Sequence, residues 1–140
     1  MNDPIQAKMV TCIMKNGKKQ VAIRILQMAF EEMNRRGEKD VLKTFEKAVQ
    51  NATPTMEVRP RRIGGSIYQI PIEVTPKRQG SLSIRWILAA ARSKKGQPMY
   101  KRLASELLDA ANETGTSFRK REESHKMAQS NKAFAHLARY

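Results

Sequence analysis

Few residues in this chain could carry acid–base, nucleophilic or metal chemistry. His125 and His136 are its only histidines and lie eleven residues apart. No cysteine pair or carboxylate spacing completes a metal site around them, so capping or packing is the expected role of both. Glu122 and Glu123 adjoin His125, but within one strongly charged helical segment that has no nucleophile or pocket pattern; a solvated or polyanion-facing helix is expected there. Gly17-Lys18-Lys19 lacks the earlier glycine and the preceding strand of a phosphate-binding loop, and reads as a helix stop beside a basic patch. Cys12 stands alone, which excludes an intramolecular disulfide. No catalytic set, metal or cofactor is expected. What the sequence offers in quantity is cationic chemistry, above all the arginines of Met56 to Val74, MEVRPRRIGGSIYQIPIEV. Arginine makes planar, bidentate contacts to phosphate and stacks on bases, whereas lysine acts more as a point charge.

The charge balance agrees with a polyanionic partner. Lys and Arg number 27 against 13 Asp and Glu, a formal net charge of +14 over 140 residues, beyond what solubility requires. Residues 56–95 alone hold nine basic and two acidic side chains. The longest apolar stretches, such as Trp86 to Ala91, fall far short of the roughly 20 residues of a membrane-spanning helix. The N-terminus shows no signal-peptide apolar core, and a reducing compartment is expected. Asn51-Ala52-Thr53 and Asn112-Glu113-Thr114 match glycosylation acceptors, but read as a helix end and a surface turn.

Glycines and prolines divide the chain into the elements that must hold these cations. Pro4 to Asn16 predicts a first helix with Met9, Cys12 and Ile13 on one side. Gln20 to Arg36 predicts a second, in which Val21, Ile25, Met28, Ala29 and Glu32 trace one line and Leu26, Phe30 and Met33 its neighbour. Asp40 is the expected N-cap of a third, with Val41, Phe45, Ala48 and Ala52 inward and Thr53-Pro54 as its stop. Its Lys39, Lys43 and Lys47 form a stripe beside Asp40 and Glu46 that a solvated face explains as well as phosphate contact does, and no site is assigned there. After the ribbon and a turn through Pro76 to Gly80, Ser81 is the expected cap of a fourth helix, with Trp86 in its core pattern and Gly96 closing it. Pro98 suits the first position of a fifth, and Thr116 to about Ala138 predicts the sixth and longest. The fold class is therefore mainly α: a six-helix domain over residues 1–140 with a protruding two-stranded antiparallel β-hairpin, about residues 56–74, between the third and fourth helices.

Face parity sharpens the ribbon. Met56, Val58 and Pro60 share one face of the rising strand, and Tyr68, Ile70, Ile72 and Val74 share one face of the returning strand. Matching apolar with apolar pairs Val58 with Ile72 and Pro60 with Ile70. That register predicts a three-residue Gly64-Gly65-Ser66 loop, with Arg59 and Arg61 pointing away from the apolar face. It also puts Pro60 and Pro71 in adjacent pairs, at the cost of a ladder rung.

A membrane surface would need one strongly basic amphipathic helix with an aromatic apolar side, which is not found. DNA and RNA both remain on composition. A basic architectural DNA-binding protein with its ribbon in a groove is one reading; shape recognition of folded RNA is the other.

Spaced motifs run across nearly the whole chain. Asp3-x-Ile5, Met9-Val10, Gly17-Lys18-Lys19 and Ile25-Leu26 open the series. Ala48-x-x-Asn51-x-Thr53-Pro54, Arg61-Arg62-Ile63-Gly64-Gly65, Tyr68-Gln69-Ile70-Pro71-Ile72-Glu73-Val74 and Arg85-Trp86 continue it. Leu107-x-Asp109-Ala110-Ala111-Asn112, Lys120-Arg121-Glu122-Glu123, His125-Lys126-Met127-Ala128 and Asn131-Lys132-Ala133-Phe134-Ala135-His136 close it. In this order they resemble the bacterial-type small-subunit ribosomal protein seven family, of bacteria or organelles. The resemblance implies a non-enzymatic constituent of the small ribosomal subunit. Such a protein binds the 3′ major domain of 16S-type ribosomal RNA, nucleates head assembly, and lies at the subunit interface near the decoding centre, with exit-site tRNA and messenger RNA nearby. Lys18, Lys19, Lys77, Arg78, Arg85, Arg92, Lys94 and Lys95 would map to ribosomal RNA contacts. Arg59, Arg61, Arg62, Gly64 and Gly65 would map to the hairpin arm near tRNA and messenger. Arg119, Lys120 and Arg121 would lie on the sixth helix near tRNA or a neighbouring protein. Head and platform ribosomal proteins of families nine and eleven are the implied protein neighbours; neither a membrane partner nor a homo-oligomer is expected. The family's basic N-terminal arm is not seen before the first helix, and Leu137-Ala138-Arg139-Tyr140 differs from its usual aromatic-basic close. The arm's share of RNA contact is not expected here.

Overall fold

The structure, a computed structural model, describes residues 4–139; the expectations that involve Met1, Asp3 and Tyr140 lie outside them. Helices α1 (Pro4–Ile13), α2 (Lys19–Arg35) and α3 (Val41–Asn51) precede a hairpin of β1 (Met56–Ile63) and β2 (Ser66–Glu73). Helices α4 (Pro76–Ser93), α5 (Met99–Ala111) and α6 (Gly115–Ser130) follow, and a 3-10 helix, Lys132–Arg139, closes the chain. The expected six helices and intervening hairpin are all present.

The centre of the helical body is α5, which packs against α2, α3, α4 and α6. Its Leu103, Ala104, Leu107, Ala110 and Ala111 recur at helical period, and all are buried. Around it Met9, Leu26, Met33, Phe45, Ile84, Ile87 and Leu88 complete one core, each large side chain contributing roughly 1.5–3 kcal/mol by leaving water. Phe30 meets Phe45 edge-on with centroids 5.3 Å apart, a geometry favoured by the ring quadrupoles. Asp40 caps α3 as expected, its side chain accepting from the Lys43 N–H at 3.2 Å.

Several boundaries differ from the sequence reading, each for a local reason. Helix α1 stops at Ile13 because Asn16 and Gly17 turn left-handed, with φ 54° and 73°; Val10 is buried on it and Cys12 is exposed. On α2 the buried line runs Ala22, Leu26, Ala29 and Met33. Val21 lies one helical step aside and is 54% exposed. Helix α4 begins at Pro76, five residues before the expected cap, because proline's fixed φ suits a first helical position where no N–H is needed. Its Trp86 is half-buried. Pro98 immediately precedes α5, with its carbonyl accepting from the N–H groups of Lys101 and Arg102. The expected sixth helix divides at Asn131, whose N–H and Nδ2 both donate to the Met127 carbonyl, at 3.0 and 2.8 Å, before the chain tightens into 3-10 turns. Helix α4, with 18 residues, is therefore the longest.

The hairpin corrects the predicted register. Val58 pairs with Pro71, Arg59 with Ile70, Pro60 with Gln69, Arg61 with Tyr68, Arg62 with Ile67 and Ile63 with Ser66, leaving a two-residue Gly64-Gly65 turn. The N–H of Val74 donates to the Thr55 carbonyl at 3.0 Å, so by alternation the odd-numbered residues of β1 occupy the hydrogen-bonded pairs. Pro60 and Pro71 thus both fall in non-bonded pairs, where a missing N–H sacrifices no rung. Gly64 and Gly65 take φ 56° and 86°, the double positive-φ turn whose twist matches the strands. These two gains outweigh apolar matching. In consequence Arg59 and Arg61 share a face with Ile70 and Tyr68 instead of pointing away from it.

Candidate nucleic-acid interface

The clearest charge feature is segmental. Residues 4–30 and 74–105 hold thirteen Lys and Arg and no Asp or Glu; every acid of the chain lies elsewhere. The two stretches build α1, most of α2, α4 and the start of α5, and they fold against one another. Lys8 Nζ donates to Ser81 Oγ at 2.9 Å, joining α1 to α4. Arg92 Nη2 donates to the Cys12 carbonyl at 3.0 Å. Arg102 Nη1 donates to the carbonyls of Arg92, at 3.3 Å, and Lys94, at 2.8 Å, and so satisfies the C-terminal carbonyls of α4 with a charge of favourable sign.

Along α4 the residues Arg78, Arg85 and Arg92 stand seven apart. At that spacing successive side chains drift only about 20°, so the row runs down one side of the helix for about 21 Å. At its upper end Arg78 Nε reaches Glu57 on β1 at 2.8 Å, and the same carboxylate holds Arg59 at 3.3 Å. Glu57, nearly buried, thereby ties the hairpin base to α4 and partly neutralises two of the expected contact arginines. At the lower end Arg92 and Lys18 meet Lys15 and Arg102 around one groove between the α1–α2 and α4–α5 turns. Lys19 borders the neighbouring α1–α2 groove and Lys77 the one between α1, α3 and α4.

The side chains of Lys18, Lys19, Arg62, Lys77, Arg85 and Lys95 are exposed and have no bonded partner among the described residues. Lys94 is different. Its Nζ lies 3.3 Å from the fully buried Glu106 and 3.4 Å from the half-exposed Asp109, so its charge is already paired within the protein. Gly64 and Gly65 form the exposed hairpin tip, with nothing within 4 Å of the space where a side chain would begin.

Helix α6 holds the hairpin at its base. His125 Nε2 accepts from the Thr55 N–H at 3.0 Å, and Ser124 Oγ donates to the Met56 carbonyl at 2.8 Å. Burial, reinforced by the nearby charge of Arg121 and opposed by Glu122, holds the His125 pKa below the ordinary histidine value; the neutral ring is the form that accepts this bond. Tyr68 of β2 packs on Phe134 of the 3-10 helix at 5.3 Å. His125 therefore has the packing role expected of it. On the same helix Arg119 and Lys120 are exposed, whereas Arg121 lies over the Phe118 ring and pairs with Glu122 at 3.1 Å. Among the described residues no group of three His, Cys, Asp or Glu could hold a metal ion, and no helix is long and apolar enough to cross a membrane.

The sequence reading missed Lys8, Lys15 and Arg102 as members of the cationic face, and Glu57 and Glu106 as its organisers. The two acid-free runs were the signal for the first three. The ion pairs of the last two join residues 21 and 12 positions apart, and no local pattern announces them.

Comparison with known proteins places this geometry in context. The model of a family described as ribosomal protein S7p/S5e matches residues 1–132. A small ribosomal subunit protein uS7 of Pseudothermotoga lettingae is 52% identical over 136 residues, which cover 97% of this chain and 88% of the relative. Proteins of the same description from Dictyoglomus thermophilum and Synechococcus elongatus are 52% and 51% identical over 135 residues, covering 96% of this chain and 86% of each relative.

Proposed function

The chain belongs to the S7p/S5e family of ribosomal proteins, and from that premise we propose that it binds the 3′ major domain of small-subunit ribosomal RNA and nucleates assembly of the subunit head. The coarser statement, a protein of the small ribosomal subunit, follows from its relatives, and the family is structural in character. The observation that carries the finer reading is the pairing of two acid-free segments into one cationic face. Phosphate contacts of this kind fix register and orientation, while the shape of the folded RNA supplies selectivity. Lys18, Lys19, Lys77, Arg85, Arg92 and Lys95 are the contacts this face favours, with Arg78 and Lys94 acting mainly within the protein.

The hairpin extends from that face as a positioned arm. Its base is fixed by Glu57, Ser124 and His125, and its tip is free of contacts, which suits a probe reaching toward tRNA and messenger at the subunit interface. Arg119 and Lys120 of α6 lie on the element that grips the arm and would face tRNA or a neighbouring ribosomal protein. We assign the whole of residues 1–140 to one RNA-binding domain. Competition binding tests the reading: RNA of the 3′ major domain displaces duplex DNA at matched salt. Equal affinity for both would sink it in favour of a general architectural role.

A further inference from the structure

The groove between the α1–α2 and α4–α5 turns combines an apolar floor with a rim of four cations, whereas Lys19 alone borders one neighbouring groove and Lys8 and Lys77 share the other with Glu46. Its floor is apolar: Ile13, Met14, Val21, Ile25 and Met99 line it, and of these Met14, Ile25 and Met99 pack directly on the core. Its rim is cationic, with Lys15, Lys18, Arg92 and Arg102, and no carboxylate lines it. Two of the rim cations are already oriented. Arg92 is held by the Cys12 carbonyl and Arg102 by the carbonyls that end α4, so little side-chain freedom remains to be lost on binding. Val21, 54% exposed, is an apolar side chain that intramolecular packing leaves facing solvent at this edge.

The volume limits the occupant. At about 210 Å³ the groove is smaller than the roughly 300–1,000 Å³ of sites that enclose drug-sized ligands, yet it has room for one flat ring system. A duplex phosphate backbone would use the rim and leave the apolar floor wet. An unpaired nucleotide would use both, its base against the methionine and isoleucine side chains and its flanking phosphates against the four cations. Such splayed bases are the usual targets of selective RNA recognition. Resting on the reading of this face as RNA-binding, we infer that the groove is a receptor for a single unpaired nucleotide of the bound RNA. It would add a base contact to the phosphate contacts of the surrounding face. The other occupant that charge would allow is an acidic peptide, but a wholly cationic rim of four around a floor of this size matches two phosphates flanking one base more closely.

The test uses the full chain with methyl-labelled methionine and, as probes, a tetra-adenosine ribonucleotide and the same oligonucleotide with its bases removed. The intact oligonucleotide is expected to shift the Met14 and Met99 methyl resonances. Removing the bases is expected to abolish those shifts and weaken binding about fivefold to tenfold, the low end for one base stacked on a protein surface because this floor is aliphatic. Val21→Glu, at an exposed position, places a carboxylate in the groove and is expected to weaken the intact oligonucleotide at least fivefold while helix content stays unchanged. Equal affinity and equal shifts for the baseless probe would overturn the inference, as would an acidic hexapeptide that shifts the same methyls with equal affinity. If the ribosomal RNA domain binds with strong salt dependence but tetra-adenosine leaves both methyls unmoved, this inference falls while the RNA-binding reading stands. Failure of the ribosomal RNA itself to bind would remove both.

Discussion

Glu106→Ala is the substitution whose cost the structure defines best. The Glu106 side chain is fully buried on α5, and its Oε1 accepts from both the N–H and the Oγ of Ser117, at 2.9 and 2.7 Å. Its Oε2 lies 3.3 Å from Lys94 Nζ. Thr114 offers α6 no side-chain cap, so Glu106 supplies from another helix the acceptor that a local cap would give to the first turn. Truncation strands the Ser117 donors and leaves Lys94 without its innermost partner. Each of the two buried Ser117 donors left unmet costs about 1–3 kcal/mol, while Lys94, partly exposed and still 3.4 Å from Asp109, adds little; about 3–5 kcal/mol in all is expected, a large share of the roughly 5–15 kcal/mol that a domain possesses. Urea denaturation with the linear slope unchanged should read that loss directly, accompanied by a fall in Tm of about 10–15 °C. Glu106→Gln retains an acceptor for Ser117 and loses only the charge, so about 1–2 kcal/mol is expected. A loss below about 1 kcal/mol for the alanine variant would refute the reasoning, because it would mean that neither the cap nor the ion pair operates.

Other consequences follow from the same contacts. Gly115→Ala sets a new Cβ 2.9 Å from Asp109 Cβ and 3.1 Å from Glu106 Oε1, at a residue with φ +90°; it should destabilise by more than about 1 kcal/mol in thermal unfolding. Acid titration of stability should show two limbs. His125 has a folded pKa below its unfolded value of 6.5, so its contribution is complete above that value and declines as pH falls; His125→Gln should flatten this limb. Hydrogen bonds from Arg35, then from Arg36, lower the Glu32 carboxyl from 4.5 to about 2 against the opposing effect of burial. Its contribution is complete above 4.5 and is lost as pH falls toward about 2, and Glu32→Gln should remove that limb. Replacing Arg59, Arg61 and Arg62 together by Ala should cost under about 1 kcal/mol of stability, since the Arg59 side is exposed and Glu57 keeps its shorter pairing with Arg78 at 2.8 Å, while, on the proposed placement of the arm, weakening footprints near tRNA and messenger on assembled subunits; global unfolding would show the hairpin to be part of the core.

What could be read from the sequence divides along the range of the interactions. The Asp40 cap, the inward rows of α3 and α5 and the presence of the hairpin rest on neighbours within one or two turns, and these were legible. The hairpin register was not, because apolar matching points to one register while proline parity and a turn requiring two positive φ angles point to another, and no local signal ranks them. The break at Asn131 depends on a side chain that bonds back to Met127 and on Phe134 meeting Tyr68, a partner 66 positions away. Lys94 looked like any other surface lysine near Lys95 until Glu106 appeared beside it. Sequence pattern thus located the charge, but only tertiary pairing separates the cations available to a ligand from those already engaged.

The central claim is that the acid-free face engages RNA phosphates. Its most direct test is the salt dependence of binding to the 3′ major domain RNA, for the chain and for a variant in which Lys18, Arg85 and Lys95 are replaced by Ala. With about six phosphates engaged, the logarithm of affinity should fall with the logarithm of salt at a slope of roughly −4 to −5, and the variant's slope should be shallower by roughly 2 to 3. A flat response in the parent chain, or the same slope in both proteins, would contradict the account.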